Sequence, residues 1–260
     1  MVVDKIIFAS DDNPNYLDLW KYVSKVCKLT VGVTPVLFHI TDEYSNFKQD
    51  EFGVVKKIKK HPEIPTSFQA QLYRLYGTKF FPNESCLISD IDMFTFNYKY
   101  FIEQVELYEP QDFIVYLSDA YDLSRPDTQQ MWALNRVPMC YVLGLGSTFT
   151  KLIKNECDFN EYVEKVLDLN FGYEFPIFHR DEIFLGKCIS RNFGKVNIIK
   201  LKRNIDNINN IPVRINREDF YNFQYDLLYD KTYIDCHIPS NWVENINEFE
   251  NIFKTILTYN

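Results

Sequence analysis

Short apolar runs alternate with segments of helical periodicity along the first ninety residues, and this alternation restricts the fold more than any other feature. The runs Lys5–Ser10, Thr34–Ile40 and Val54–Ile58 predict three strands. The segment Tyr16–Cys27, and a second one that begins after Pro65, have apolar residues at helical spacing. Because strands and helices alternate, the sequence predicts an α/β fold with a mostly parallel central sheet flanked by helices.

The rest of the chain is less regular, although strand and helix patterns continue. The predicted strands are Phe113–Leu117, a strand from Cys140 that enters a glycine-rich turn, and Val196–Leu201; the predicted helices are Phe159–Leu169, Asp181–Arg191 and Asn245–Leu257. The polar segments Ser118–Thr128 and Arg203–Asn210 predict surface loops. We expect one domain at residues 1–242, with a C-terminal helix at 243–260 packed on it.

The charge and composition of the chain argue against several classes of function. The 260 residues carry a net charge of −8 and a pI of about 5.1, which disfavours general affinity for nucleic acid or anionic membranes. The six cysteines are scattered without a C-x-x-C pair, which favours reduced thiols over disulfides or a zinc site. The chain starts directly with a strand pattern, and no apolar stretch is long enough to span a bilayer. We therefore expect a cytoplasmic protein of bacterial or viral type.

Polar side chains follow three of the predicted strands. In a parallel sheet the carboxyl ends of the strands meet at one edge, and ligands collect beyond that edge. Three polar strand ends at one edge provide what a nucleotide pocket requires. The strand ends concerned are Ala9-Ser10-Asp11, Thr41-Asp42 and Ser89-Asp90.

Two carboxylates stand one residue apart at the end of the apolar run that follows the second helical segment. Asp90 and Asp92 are the only D-x-D pair in the chain. Residues two apart on a strand point to the same face, so these acids would stand side by side. Paired carboxylates suit a hard cation such as Mg²⁺ or Mn²⁺, and such a cation suits a diphosphate. The structural alternative is a strand-ending turn with two solvated aspartates.

The order of helix, turn, apolar strand and paired aspartates resembles the core of GT-A glycosyltransferases, which use nucleotide sugars and carry a DxD motif. The resemblance implies transfer of a sugar from a nucleotide-diphosphate donor, most often a UDP-sugar, to a hydroxyl acceptor such as a glycan. Two alternatives stay open. One is a sugar nucleotidyltransferase, although Ala9-Ser10-Asp11-Asp12 is acidic where such enzymes carry a basic glycine-rich loop. The other is a non-catalytic sugar-binding module of the same fold.

The resemblance also implies a metal site formed by Asp90, Asp92 and a histidine late in the domain, here His237. A neutral imidazole is a good ligand for Mn²⁺ and favours that ion over Mg²⁺. The match is incomplete, because the chain lacks the longer glycine- and lysine-containing spacing that precedes the tryptophan in the best-known histidine signature. A surface or core histidine is the alternative.

Further roles follow from the same resemblance. Gln69 and Arg74 precede the paired aspartates on a helix and are candidates for donor contacts, with a solvent-facing arginine as the alternative. Gly144 and Gly146 allow close approach of backbone to a donor, or simply form a tight turn. Asp181 and Glu182 begin a predicted helix, where carboxylates also favour the helix dipole. An inverting transferase, which we favour over a retaining one, needs such an acid as general base, with Asp181 the first choice.

Overall fold

The computed structural model describes residues 1–42, 51–118, 120, 136–168, 179–202 and 214–259. The predicted loop at Arg203–Asn210 lies outside these residues, as does most of the predicted loop at Ser118–Thr128. Within the described parts of the chain, no helix has the length and the apolar character that crossing a membrane requires.

In the described residues the central sheet has seven strands, six of which run in one direction. The strands of this sheet and of a second, smaller one are β1 Lys5–Ser10, β2 Thr34–Ile40, β3 Val54–Ile58, β4 Ser85–Ser89, β5 Met93–Thr95, β6 Phe113–Val115, β7 Tyr141–Leu145, β8 Ile198–Lys200, β9 Arg214–Ile215 and β10 Asp235–His237. The sheet order is β3-β2-β1-β4-β7-β6-β8, and β7 is antiparallel to both of its neighbours. The predicted fold class, an α/β fold with a mostly parallel sheet flanked by helices, is therefore confirmed.

The helices predicted from sequence are present with shifts at their ends, whereas the helices at Tyr98–Phe101, Gly146–Ile153 and Tyr225–Tyr229 were not predicted. They are α1 Pro14–Leu17, α2 Trp20–Val26, α3 Thr66–Tyr76, α4 Tyr98–Phe101, α5 Gly146–Ile153, α6 Phe159–Leu167, α7 Arg180–Arg191, α8 Tyr225–Tyr229 and α9 Ile246–Tyr259. The helix predicted at Tyr16–Cys27 begins earlier and is interrupted between α1 and α2, because Asn13 caps a short first helix with Pro14 at its first position.

Alternating side chains of the strands build two cores on opposite faces of the sheet. On β1, Ile6 and Phe8 face the core that contains α2 and α9, whereas Ile7 and Ala9 face the core that contains α3, α5, α6 and α7. Both cores are rich in aromatic rings; the Phe8 ring, for example, lies 6.0 Å from the Trp20 ring, edge to face. The inner strands β1, β2 and β4 are thus buried on both faces, and only their ends are free to carry polar function.

A second, smaller sheet forms beyond the carboxyl edge of the first. Its order is β5-β10-β9, with β10 antiparallel to β5 and parallel to β9. The register pairs His237 on β10 with Met93 on β5, directly after the D-x-D motif. The small sheet therefore carries a C-terminal segment to the end of β4.

Candidate functional site

The carboxyl edge of the central sheet carries the predicted strand-end residues. Ser10 on β1 is paired with His39 on β2, so the segments that follow these strands leave the sheet side by side. Oδ2 of Asp11 accepts a hydrogen bond of 2.7 Å from Thr66 at the start of α3. Asp42 accepts a hydrogen bond of 3.2 Å from the backbone nitrogen of Lys60. The edge is thus polar, as the sequence predicted, and several of its carboxylates are held in place by neighbours.

The side chains of Ala9, Ser10 and Ser89 are all buried at this edge. Ala9 packs in the core beneath α3, so its side chain is not available to a ligand. The hydroxyls of Ser10 and Ser89 donate to the carbonyl oxygens of Asp11 and Asp90, at 3.1 and 3.3 Å. These serines therefore shape the strand ends rather than present a free hydroxyl.

Asp12 is held by a buried histidine and a lysine that the sequence interpretation did not single out. Nε2 of His39 lies 2.9 Å from Oδ1 of Asp12, and Nζ of Lys60 lies 2.6 Å from Oδ2. Burial opposes ionisation of Asp12, but its hydrogen bonds from Lys60, Thr41 and His39 lower its pKa overall. Burial lowers the pKa of His39, and the Asp12 carboxylate opposes that shift. The loop between β1 and α1 is therefore fixed at both ends.

Asp92 lies in a charged cluster that joins three distant parts of the chain. Nε2 of His237 is 3.2 Å from Oδ2 of Asp92, and a guanidinium nitrogen of Arg217 contacts the same oxygen. Only 6% of Asp92 is exposed, so this acid is not the solvated aspartate of the structural alternative. Burial disfavours the carboxylate, but contacts with His237 and Arg217 lower the pKa of Asp92 overall.

Asp92 and His237 are joined by a hydrogen bond whose length also equals the separation of two neighbouring ligands of a cation, whereas the full predicted ligand set is not assembled. Ligand atoms lie roughly 2.0–2.2 Å from a small divalent cation, so neighbouring ligands of an octahedral ion are roughly 3 Å apart. The 3.2 Å separation of the Asp92 and His237 atoms meets this condition. Asp90 instead contacts Arg74. In the described parts of the chain, no three His, Cys, Asp or Glu side chains form a group that would hold a metal.

A small cavity opens beside Asp92. Its volume of about 30 Å³ is enough for a water molecule or a small ion. Burial and the nearby Asp92 carboxylate raise the pKa of Tyr16, whose ring lines the cavity. Nε1 of Trp242 donates a hydrogen bond of 2.9 Å to the carbonyl of Asn15, which ties the segment after β10 to α1. The other lining residues are Leu19, Ile238, Pro239 and Ser240.

A second charged cluster connects Asp90 with α7. Arg74 on α3 is buried, and its guanidinium contacts Asp90 and lies 3.1 Å from Oδ2 of Asp181. Burial raises the pKa of Asp181 to about 6, although the positive charge of Arg74 opposes the shift. Three residues assigned to the site from sequence are thus in contact, and Arg74 is not the solvent-facing residue of the alternative interpretation.

Glu182, the neighbour of Asp181, belongs to a different set of contacts. Nε of Arg136 donates to Oε2 of Glu182 at 2.7 Å, and Nδ1 of His179 lies 3.5 Å from the same oxygen. Burial, followed by the charge of Arg136, lowers the pKa of His179. Asp181 and Glu182 therefore have different partners. Asp181 contacts Arg74, which also contacts Asp90 of the D-x-D motif, whereas Glu182 contacts Arg136.

The side chain of Gln69 is fully buried and satisfied by backbone groups. Its Oε1 accepts from the backbone nitrogen of His61 at 2.9 Å, and its Nε2 donates to the carbonyls of His61 and Ile64, at 3.0 and 2.7 Å. These bonds fix the segment that precedes α3. We therefore correct the predicted donor contact of Gln69 to a structural role.

The predicted donor contacts of Gly144 and Gly146 are also corrected. Because β7 runs antiparallel to β4, Leu145 pairs with Ser85 at the start of β4, at the opposite edge of the sheet from Asp90. Gly146 begins α5, and a Cβ there would lie 2.3 Å from the carbonyl oxygen of Phe81. These glycines serve close packing and lie away from the candidate site.

Gly146→Ala is therefore expected to destabilise the fold by about 3 kcal/mol, because the added carbon meets backbone atoms that cannot move independently. Gly32→Ala is the comparison: nothing lies within 4 Å of its Cβ position, and only its left-handed backbone, with φ of 77°, is strained. That change is expected to cost about 1 kcal/mol. Urea unfolding measures both, and equal stability of Gly146→Ala and wild type would contradict the packing role.

Arg136 and Arg217 are two further charged residues that sequence reasoning missed. Each contacts an acid far away in the chain: 46 positions separate Arg136 from Glu182, and 125 separate Arg217 from Asp92. Neither arginine stands in a motif. The sequence provides only a general indication of such partners: a buried acid requires a positive charge nearby, but the residue that supplies it is not specified.

Comparisons with known proteins leave the family of this chain open. No family model matches the chain, and no curated protein matches it. Among solved structures it is similar to the apo form of the glycosyltransferase GlyE from Streptococcus pneumoniae TIGR4, with 13% sequence identity and a TM-score of 0.48. The likeness covers 99% of this chain and 62% of that one, so the chain spans less than two thirds of that structure's length. A likeness this weak carries no conclusion about substrate or reaction.

Proposed function

We propose that this protein is a glycosyltransferase that moves a sugar from a nucleotide-diphosphate donor, a UDP-sugar in the first instance, to a hydroxyl acceptor such as a glycan. The observation that carries the proposal is the contact between Asp92 and His237, 3.2 Å apart. These residues are 145 positions apart in sequence, and a separate small sheet brings them together. The contact lies beyond the carboxyl ends of parallel strands, where ligands of α/β sheets bind.

Asp92 and His237 are the residues that would hold Mn²⁺, or Mg²⁺, with Asp90 beside them on the same segment. A divalent cation bound there neutralises the negative charge that develops on a departing nucleotide diphosphate. Asp92 contributes an ionised carboxylate, since its pKa is lowered by its neighbours. The donor set of oxygen and imidazole nitrogen suits Mn²⁺ better than Mg²⁺.

The polar ends of β1 and β2 supply the rest of the donor site in this proposal. The backbone after Ala9 and the acids Asp11 and Asp42 stand at the same edge as Asp90. The hydrogen bond from Thr66 to Asp11 keeps that carboxylate oriented, so it is prepared to accept a hydroxyl or imino hydrogen of a nucleoside. Tyr16 beside the cavity offers an aromatic surface to the same ligand.

Asp181 is the acid that we assign to the reacting sugar and its acceptor. It reaches the D-x-D motif through Arg74, whereas Glu182 is engaged by Arg136. An acid with a pKa of about 6 is ionised at neutral pH and still accepts a proton readily, as a general base must. Inversion at the sugar carbon follows from this role.

One observation favours a second candidate, a non-catalytic sugar-binding module. Both acids of the D-x-D motif contact an arginine, Arg74 for Asp90 and Arg217 for Asp92. Such pairs neutralise the carboxylates without a metal. A binding module of this kind would take up a sugar or nucleotide with the same affinity whether or not Mn²⁺ is present.

A thermal-shift screen of nucleotide sugars with and without Mn²⁺ separates the two candidates. A ligand that binds only the folded state at a hundredfold excess over its Kd raises the melting temperature by about 5 °C or more. The glycosyltransferase proposal predicts this shift for a UDP-sugar with Mn²⁺ and its loss in EDTA. An equal shift in EDTA would favour the module, and no shift with any nucleotide sugar would contradict both.

His237→Ala is expected to raise the Mn²⁺ concentration required for nucleotide binding by at least about tenfold, because one of two preformed ligands is lost. His61→Ala is the matched control, since His61 lies in the loop before α3 and contacts neither aspartate of the motif in the described structure. Titration of Mn²⁺ at fixed UDP, followed by melting temperature, measures the requirement. Wild-type Mn²⁺ dependence of His237→Ala would remove this residue from the site.

A further inference from the structure

Arg217 occupies the position at which a bound cation would act. Its guanidinium contacts Oδ2 of Asp92, the same oxygen that lies 3.2 Å from His237. An ion held between Asp92 and His237 would bind this oxygen too. A positive side chain on the same atom repels the ion and competes with it for the carboxylate. The structure therefore shows the acid of the motif already neutralised by a residue of the chain.

The surroundings of Arg217 allow it to leave Asp92. Its side chain is 42% exposed, whereas that of Asp92 is 9% exposed. Arg217 lies on the single helical turn Arg217–Asp219, so a rotation of its long side chain moves the guanidinium without moving an element of the core. The guanidinium regains water when it leaves, and the incoming cation supplies the positive charge that the buried carboxylate of Asp92 requires.

A nucleotide diphosphate offers Arg217 another partner. The planar guanidinium donates paired hydrogen bonds to phosphate oxygens, and such charge-assisted bonds are stronger than neutral ones. The diphosphate would lie against the cation at Asp92, within the region that the arginine already occupies. The two partners of Arg217, the Asp92 carboxylate and the diphosphate, would thus lie side by side. When the cation occupies the carboxylate, only the diphosphate is available to the arginine.

We propose that Arg217 is an exchangeable counter-ion of the site: it neutralises Asp92 in the free protein and transfers to the diphosphate when a divalent cation takes its place. This inference rests on the proposed function, because it requires both a cation and a nucleotide diphosphate. It makes cation and nucleotide binding interdependent, since the cation displaces Arg217 and the diphosphate receives it. Each ligand therefore binds more tightly when the other is present.

The proposal predicts opposite changes in two affinities when Arg217 is replaced by glutamine. Without nucleotide, Arg217→Gln binds Mn²⁺ about tenfold more tightly than wild type, because the competing charge is gone. With Mn²⁺ saturating, the same variant binds UDP roughly tenfold or more weakly, because a charge-assisted contact to phosphate is lost. A side chain with a merely structural role would weaken both affinities together.

Two further variants sharpen the test. Arg217→Lys keeps the positive charge but loses the paired donors, so its Mn²⁺ affinity stays near wild type while its UDP affinity falls. Arg191→Gln removes an equal charge from the exposed last turn of α7 and leaves both affinities unchanged. Calorimetric titration of MnCl₂ alone, and of UDP at saturating Mn²⁺, gives the two constants for each protein.

The outcomes distinguish this inference from the proposed function. Tighter Mn²⁺ binding together with weaker UDP binding in Arg217→Gln supports the exchange. If wild type binds Mn²⁺ and UDP but Arg217→Gln changes neither affinity, or changes both in the same direction, the exchange is wrong and the proposed function stands. If neither ion nor nucleotide binds to wild type, both are wrong.

Discussion

Asp92→Asn is expected to abolish Mn²⁺-dependent UDP binding, with a loss of affinity of about a hundredfold or more. The amide keeps the shape of the side chain but removes the negative charge that the cation requires. Asp92 is the acid that contacts His237, so the substitution removes one proposed ligand of the cation and the contact that positions the other. Calorimetric titration of UDP in the presence of Mn²⁺ measures the effect.

The fold is expected to survive this substitution. Arg217 is half-exposed and regains water when its partner is neutral, so it is not left as a buried, unpaired charge. Asp168→Asn is the control for the chemical change, because Asp168 is an exposed residue at the end of α6 and contacts neither His237 nor Arg217 in the described structure. Wild-type UDP affinity in Asp92→Asn, with a melting temperature equal to that of the control, would show that the motif does not hold the ion.

Asp181→Asn is expected to reduce turnover by roughly 10²–10⁴-fold while donor binding persists, the range for loss of a positioned proton acceptor. The geometry selects Asp181 over Glu182, because Arg74 connects Asp181 with Asp90. Glu182→Gln is the comparison, and we expect a smaller loss there. Anomeric configuration of the product, read by NMR, decides the chemical role: retention would remove the general-base assignment from both acids.

The pH dependence of the wild type provides a second readout of Asp181. Burial raises its pKa from the model-compound value of 3.8 to about 6, so turnover should rise with pH through a midpoint near 6, where the base becomes ionised. The stability of the fold changes with pH in the opposite direction to turnover. A raised acid pKa means that the folded state favours the protonated form, so this contribution to stability is present below pH 4 and is lost as pH rises through 6. Both dependences should disappear in Asp181→Asn.

The first three strands and the position of the acidic motif were predictable from sequence. The strands β1, β2 and β3 begin and end at the predicted residues, because each apolar run is bounded by polar or turn-forming residues. Asp90 follows β4 directly, as the alternation of apolar residues indicated. Burial on both faces of a parallel sheet leaves a continuous apolar run in the sequence, and the end of such a run is its clearest signal.

The direction of β7 and the second sheet were not predictable in the same way. Side chains alternate identically in parallel and antiparallel strands, so nothing in residues 141–145 shows that Gly146 leads away from the site. The strands β5, β9 and β10 have two or three residues each, too few to show a period. The contact between Arg217 and Asp92 depends on that small sheet, and sequence spacing carries no information about it.

Calorimetric titration of UDP into the wild-type protein, once with Mn²⁺ and once with EDTA, decides whether this protein binds a nucleotide through a divalent cation. We expect saturable binding with Mn²⁺ and a loss of at least about a hundredfold in affinity with EDTA, because the diphosphate then lacks the cation between Asp92 and His237. Equal affinity in the two titrations, or no binding in either, would contradict it.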